Sequence, residues 1–216
     1  MIHIVTPCTR PNNLQLISPS IPKECNWIVI FDEKCEPNIC DPVNATTITF
    51  SENDLQRPWF CSRHYNEYYN NSNWNRNYVL DNYKFEDEDW IYFLDDDNII
   101  HPNWYESVKE LINIDYAMIV WGQLSKSGKH RRNPSNINRL LERTFLIKRG
   151  LIDTACFMVK YKYIKDIRWT CDSDHRTARQ ADGEYAEMCS KTGEVHYIPD
   201  YICYFNRLNY ENKNRV

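Results

Sequence analysis

Residues 90–98 read WIYFLDDDN, five large apolar side chains in a row and then three carboxylates, Asp95, Asp96 and Asp97. An apolar run without polar alternation suits a strand covered on both faces, as in a parallel sheet under helices. Such a strand delivers whatever follows it to a fixed place. Like charges brought together there are costly: two unit charges about 4 Å apart repel by about 4 kcal/mol at an effective dielectric near 20. Either the triplet is a solvated turn or helix cap, or a cation compensates it. A divalent ion turns the cost into affinity. Hard carboxylate oxygens select Mg²⁺ or Mn²⁺, which take few protein carboxylates and complete their shell with phosphate oxygens. An EF-hand is excluded, because no glycine stands at the sixth position of a loop that begins on the triplet.

Composition removes several classes of function. With 26 basic and 30 acidic residues the net charge is -4, which lacks the basic footprint of a nucleic-acid binder. Only five glycines occur, and neither GxGxxG nor GxxxxGK[ST] is present, so dinucleotide and P-loop readings fail. The nine cysteines are odd in number, form no CxxC pair and sit partly in apolar runs such as DTACFMV, which fits buried free thiols in a reducing compartment. Cys35 and Cys40 supply two ligands, short of a zinc site. The start, MIHIVTPCTR, is too polar for a signal peptide, and no apolar run approaches the roughly 18 residues of a membrane span. A soluble cytoplasmic protein is expected, with no nucleic-acid partner and no membrane span; its oligomeric state is left open.

Strands are expected at IHIVTP, WIVIFDE, TTITF, DWIYFL, YAMIVWGQL, LIDTACFMVK and VHYIPDYICYF. Helices are expected within 62–84 around NWNRNYVLDNY, over HPNWYESVKELI, and over QADGEYAEMCSKTG up to Gly193. The alternation predicts a single α/β domain with a mainly parallel central sheet flanked by helices. Ligands bind such sheets beyond the carboxyl ends of the strands. Three acidic positions satisfy that rule: Asp32, the triplet and Asp182.

The ordered blocks IVTPCTRP, WIVIFDE, NRN, WIYFLDDDN, IDTACFMV and ADGEYAEM resemble a GT-A fold glycosyltransferase. The likeness is nearest to the inverting β-1,3-glucuronyltransferase family, with its Thr-Pro and Asp-Asp-Asp-Asn blocks, and looser to the family 2 transferases. It implies a Rossmann-like GT-A domain with a nucleotide-binding half (1–98) and an acceptor and catalytic half (99–216). The implied reaction is inverting transfer of a sugar from a UDP-sugar to a hydroxyl of a glycan or glycoconjugate, with Mn²⁺ or Mg²⁺. Asp32 would hold the uracil, with Pro7, Thr9 and Arg10 lining the same pocket. Arg76 and Arg207 would approach the diphosphate. Asp97 would bind the metal, Asp96 would touch the ribose, and Asp95 would orient the sugar or the loop. Asp182 falls where these families place the base, with Glu184 its rival. Trp121 and Gly122 are the candidates for the acceptor side.

The chain departs from the glucuronyltransferases in having Cys8 and Thr9 where a uracil-stacking Tyr is expected and Phe205 in place of a His. Those relatives are membrane-anchored; the Asn-, Ile- and Tyr-rich composition here suits a bacterial or large-DNA-virus enzyme. Plainer roles stand beside these. Asp182 also reads as a helix N-cap, a role compatible with catalysis, Arg76 as a solvated surface charge, the Lys and Arg residues of 126–132 as a wet face, and most tryptophans as core. A phosphohydrolase of the haloacid-dehalogenase type also follows an apolar strand with DxD, but on its first strand. A non-catalytic glycan- or partner-binding module is the third reading.

Overall fold

The apolar segments take the middle of the sheet, since each needs cover on both faces. The computed structural model describes residues 1–31, 45–49, 67–125, 147–171, 180–205 and 208. Strands β1 (Ile2–Cys8), β2 (Asn26–Phe31) and β4 (Trp90–Phe93) are buried throughout except at Asn26. The others are β3 (Ala45–Thr49), β5 (Ile99–Ile100), β6 (Met118–Ser125), β7 (Phe157–Lys160) and β8 (Val195–Phe205). Their order is β3-β2-β1-β4-β7-β6-β8-β5. From β3 to β4 all neighbours run parallel. Beyond β4 the sheet is mixed: β7 opposes both its neighbours, β8 runs parallel to β6 with register shifts around Gly122, and β5 opposes β8.

Pleating divides β4 between two cores. Trp90, Tyr92 and Leu94 face a layer with Leu14 and Ile17 of α1 (Leu14–Ile17) and Trp104 and Val108 of α3 (Trp104–Val108). Ile91 and Phe93 face the other, with Val79 and Leu80 of α2 (Glu67–Asn82), Trp169, and Tyr185 of α4 (Ala181–Cys189). Trp90, Trp104, Trp121 and Trp169 are all buried, as the core role expected of most tryptophans requires.

Two elements are shorter than their sequence suggests. HPNWYESVKELI holds a single α-helical stretch, α3, and then a 3₁₀ turn at Leu111–Asn113. LIDTACFMVK becomes strand only at Phe157, because the Asp153 side chain accepts from the Ala155 backbone and opens a 3₁₀ turn over Thr154–Cys156. A local carboxylate competes here with the ladder.

The described cysteines are free thiols: Cys8, Cys25, Cys156, Cys171, Cys189 and Cys203. Burial pushes the Cys25 thiol up to about 12 and raises Cys189 and Cys203 as well, which keeps them protonated and poor nucleophiles. Among the described residues no helix is long and apolar enough to cross a membrane.

Candidate functional site at the ends of β1 and β4

β2 and β3 extend the sheet to one side of β1, whereas β4 and the later strands extend it to the other. The carboxyl ends of β1 and β4 therefore meet where the strand order reverses, the point at which an open α/β sheet leaves a ligand crevice. The last ladder bond runs from Leu94 N to Val5 O at 3.0 Å. The triplet then turns, closed by Asn98 N donating to Asp95 O at 3.1 Å.

The loop after β1 is built around Asp96. The Thr9 and Arg10 amides each donate to Asp96 Oδ2 at 2.7 Å, and Thr9 Oγ1 joins them at 3.1 Å. Buried Asn13 donates its side-chain amide to Asp96 O at 2.8 Å. The Arg10 guanidinium bridges two acids, with Nε and Nη2 on Asp96 Oδ1 and Nη1 on Asp97 Oδ2 at 3.0 Å. Burial draws the Arg10 guanidinium down, but Asp96 and Asp97 outweigh it and hold it above its usual range.

Asp95 is served from the other side. Arg76 Nη2 donates to its Oδ1, and Thr154 Oγ1 to its Oδ2 at 3.3 Å. Arg76 is 3% exposed, so it is no solvated surface charge. The triplet is likewise no solvated turn: Asp96 and Asp97 are 2% and 6% exposed. Among the described residues, the Arg10 and Arg76 guanidinium groups face the three carboxylates. Burial pushes the Asp97 carboxyl up to about 7; Arg10 opposes this, and Asp95 and Asp96 add to it.

α2 is polar, yet one face is buried, because its amides clamp the loop before α4. Asn73 Nδ2 donates to Thr170 O at 3.0 Å, and Asn77 exchanges bonds with the Trp169 backbone at 2.9 and 2.8 Å. Asn73 Oδ1 also accepts from Arg76 Nη1 at 2.6 Å. The guanidinium lies 4.5 Å over the Trp169 ring, which stacks on Tyr185 at 4.0 Å. Phe93 meets both rings edge-on. An unbroken column thus runs from Asp95 through Arg76 and Trp169 to α4. Arg76→Met keeps the stem but strands Asp95 and Asn73; a loss of about 2 kcal/mol is expected in urea unfolding, below that of a fully buried pair because Asp95 is partly exposed.

Asp182 sits half-buried in the first turn of α4, where a carboxylate complements the helix dipole. It is not the N-cap as one reading held; that position belongs to Gln180, without a side-chain cap. Glu184 pairs with Arg149 and accepts from Thr170 Oγ1 at 2.9 Å. Between the two acids, Gly183 lies against backbone: a β-carbon there would stand 2.5 Å from Arg149 Cα and from Lys148 O. Gly183→Ala should push α4 away and cost about 1–3 kcal/mol, read as a lowered urea midpoint, since backbone cannot yield as a side chain would.

Pro7 is buried within β1, opposite Ile30. Trp121 is 4% exposed, donates its indole N–H to Ala155 O at 2.8 Å and packs edge-on to Tyr92 and Trp104. Gly122 lies under the Tyr201 ring. Asp32, Arg207 and the basic residues of 126–132 lie outside the described residues. Sequence reasoning overlooked Asn13, Asn73, Thr154 and Trp169 as parts of the site. A helical i, i+3, i+4 reading of Asn73, Arg76 and Asn77 was the available signal for one of them.

The donor chemistry suits a divalent ion in one form only. Among the described residues no three His, Cys, Asp or Glu side chains are arranged to cage a metal. The Asp97 carboxylate could offer a hard oxygen to such an ion, with burial and two neighbouring carboxylates weighing against its charge, which fits an ion held by one or two carboxylates and completed by phosphate oxygens.

No family model matches the chain, and no curated protein resembles it in sequence. Among solved structures it is similar to residues 1–349 of TarS from S. aureus, a staphylococcal wall teichoic acid glycosyltransferase. The TM-score is 0.64 at 13% identity, over 94% of this chain and 59% of that one, so the chain spans somewhat more than half the length of the protein that it matches. At this identity the likeness speaks for architecture. The chain has a GT-A-like glycosyltransferase fold, a mixed α/β domain whose central sheet is flanked by helices.

Proposed function

We propose that the chain is a metal-dependent inverting glycosyltransferase, moving a sugar from a UDP-sugar to a hydroxyl of a glycan or glycoconjugate. The observation that carries this reading is the acidic triplet, with Asp96 and Asp97 buried, at the strand-order reversal of a GT-A-like sheet. Asp97 would hold Mn²⁺ or Mg²⁺. Bound there, the ion would neutralise charge growing on the departing diphosphate. Asp96 is too fully engaged by Thr9 and Arg10 to move, which suits a fixed wall of the nucleotide pocket. Arg76 holds Asp95 toward the sugar side. Asp32 and Arg207 keep the roles that the resemblance implies, at the base and at the phosphates.

Asp182 would take the proton of the acceptor hydroxyl as its oxygen bonds to the anomeric carbon. The bond from that carbon to the diphosphate oxygen breaks on the opposite face, and UDP leaves with the electron pair. Configuration inverts. Glu184, paired with Arg149 and Thr170, is the rival base. A phosphohydrolase of the haloacid-dehalogenase type needs its acids on the first strand, whereas these follow the fourth.

The test is a UDP-release screen across nucleotide sugars, with Mn²⁺ and with chelator, beside a generic phosphoester. Release from one or more UDP-sugars, only with metal, is expected. Phosphoester cleavage without UDP release would favour the hydrolase, and metal-independent binding with no release the non-catalytic module.

A further inference from the structure

We propose that Arg10 is a tethered counter-cation covering Asp97 in the nucleotide-free chain, so that a divalent ion binds well only when a diphosphate draws the guanidinium away. This rests on the reading of the site given above. Three observations carry it. The Arg10 side chain is 38% exposed, while the Asp96 and Asp97 side chains that it contacts are only 3% and 9% exposed, so an ion arriving from solvent meets the guanidinium first. The Arg10 main chain is pinned by its amide to Asp96 Oδ2 at 2.7 Å, so only the side chain need move. When it leaves, Asp96 keeps the Thr9 amide, the Thr9 hydroxyl and the Arg10 amide, whereas Asp97 loses the 3.0 Å bond from Nη1. Asp96 is therefore the fixed carboxylate, and the Arg10–Asp97 contact is the one that an ion would replace.

The energetics give the coupling its sign. A dication beside Asp97 cannot share the place with a guanidinium at contact distance, since like charges so close repel. A diphosphate offers that planar guanidinium a bidentate anionic partner instead. Ion and nucleotide should each promote binding of the other by the same factor.

The measurement is Mn²⁺ affinity, read by electron paramagnetic resonance of free Mn²⁺, with and without UDP and with no sugar turnover. The proteins are wild type, Arg10→Gln and Arg10→Lys. Arg10→Gln should bind Mn²⁺ alone at least about tenfold tighter than wild type, the scale of one removed like charge near the site. The enhancement by UDP should shrink correspondingly. Arg10→Lys, which keeps the charge but lacks the planar fork of the guanidinium, should fall between them, and it decides the matter if Arg10→Gln does not fold. Unchanged or weaker Mn²⁺ binding in both variants, or wild-type coupling to UDP, overturns the inference. Tight Mn²⁺ binding by the variants with no UDP effect in any protein leaves Arg10 as a counter-cation and overturns the UDP reading. Silence of every protein toward Mn²⁺ overturns both.

Discussion

Asp97→Asn is expected to lower UDP-sugar turnover by about 10²-fold or more, the scale of losing a preorganised electrostatic contact, while making the metal-free protein more stable. The two effects share one cause. Burial holds the Asp97 carboxyl at about 7, against its ordinary 3.8. Between those values the folded chain binds the proton that the unfolded chain has released. Stability therefore falls as pH rises through that window, and the cost is complete above about 7. An amide in the same place has no charge to bury. A shift of this size corresponds to about 4 kcal/mol, and the weaker Arg10 contact in the variant offsets part of it, so a gain of about 2 kcal/mol is expected. Urea unfolding of the metal-free proteins should put that gain at pH 8 and almost none of it at pH 4. A variant no more stable at pH 8 than wild type would mean that Asp97 is already compensated without an ion. Loss of stability there together with full turnover would remove it from the site altogether.

Asp182→Asn should separate binding from chemistry. A single positioned base contributes typically about 10²–10⁴-fold, so transfer should drop by that factor. Binding of UDP with Mn²⁺ should stay within about threefold of wild type, because uniform binding and transition-state stabilisation are separate losses. The side chain stands in the first turn of α4, and the isosteric amide keeps the helix start intact. The discriminating comparison is Glu184→Gln. That change breaks the contacts to Arg149 and Thr170 and should lower stability more than it lowers transfer. Full turnover by Asp182→Asn, with collapse of turnover in a folded Glu184→Gln, would exchange the two roles.

Seven of the eight described strands, the helices around Arg76 and Asp182, and the place of the triplet at a strand end were legible because they follow from local pattern: apolar runs, turn residues, and acids at strand ends; the two-residue β5 was too short to show one. What compensates the triplet was not. Arg10 and Asp96 lie 86 residues apart, and no spacing rule links them; they meet because β1 and β4 are neighbours in the sheet. Arg76 reads as a surface charge because α2 is polar almost throughout, and its burial comes from asparagine bonds to a loop more than 90 residues on. The 3₁₀ turn before β7 was hidden in an apolar stretch, where one aspartate decided the backbone. Asp182 was placed by resemblance and stands at the start of the expected helix. The stacked column that ties this helix to Asp95 exists only in three dimensions.

The most direct test of an acidic triplet that takes a metal and a diphosphate is a crystal of the chain grown with UDP and Mn²⁺, read by the anomalous signal of manganese. The account predicts a manganese peak against Asp97 with the diphosphate beside it and the Arg10 side chain withdrawn from that carboxylate. UDP seated elsewhere, or Arg10 still bridging Asp96 and Asp97 with no manganese present, would contradict it.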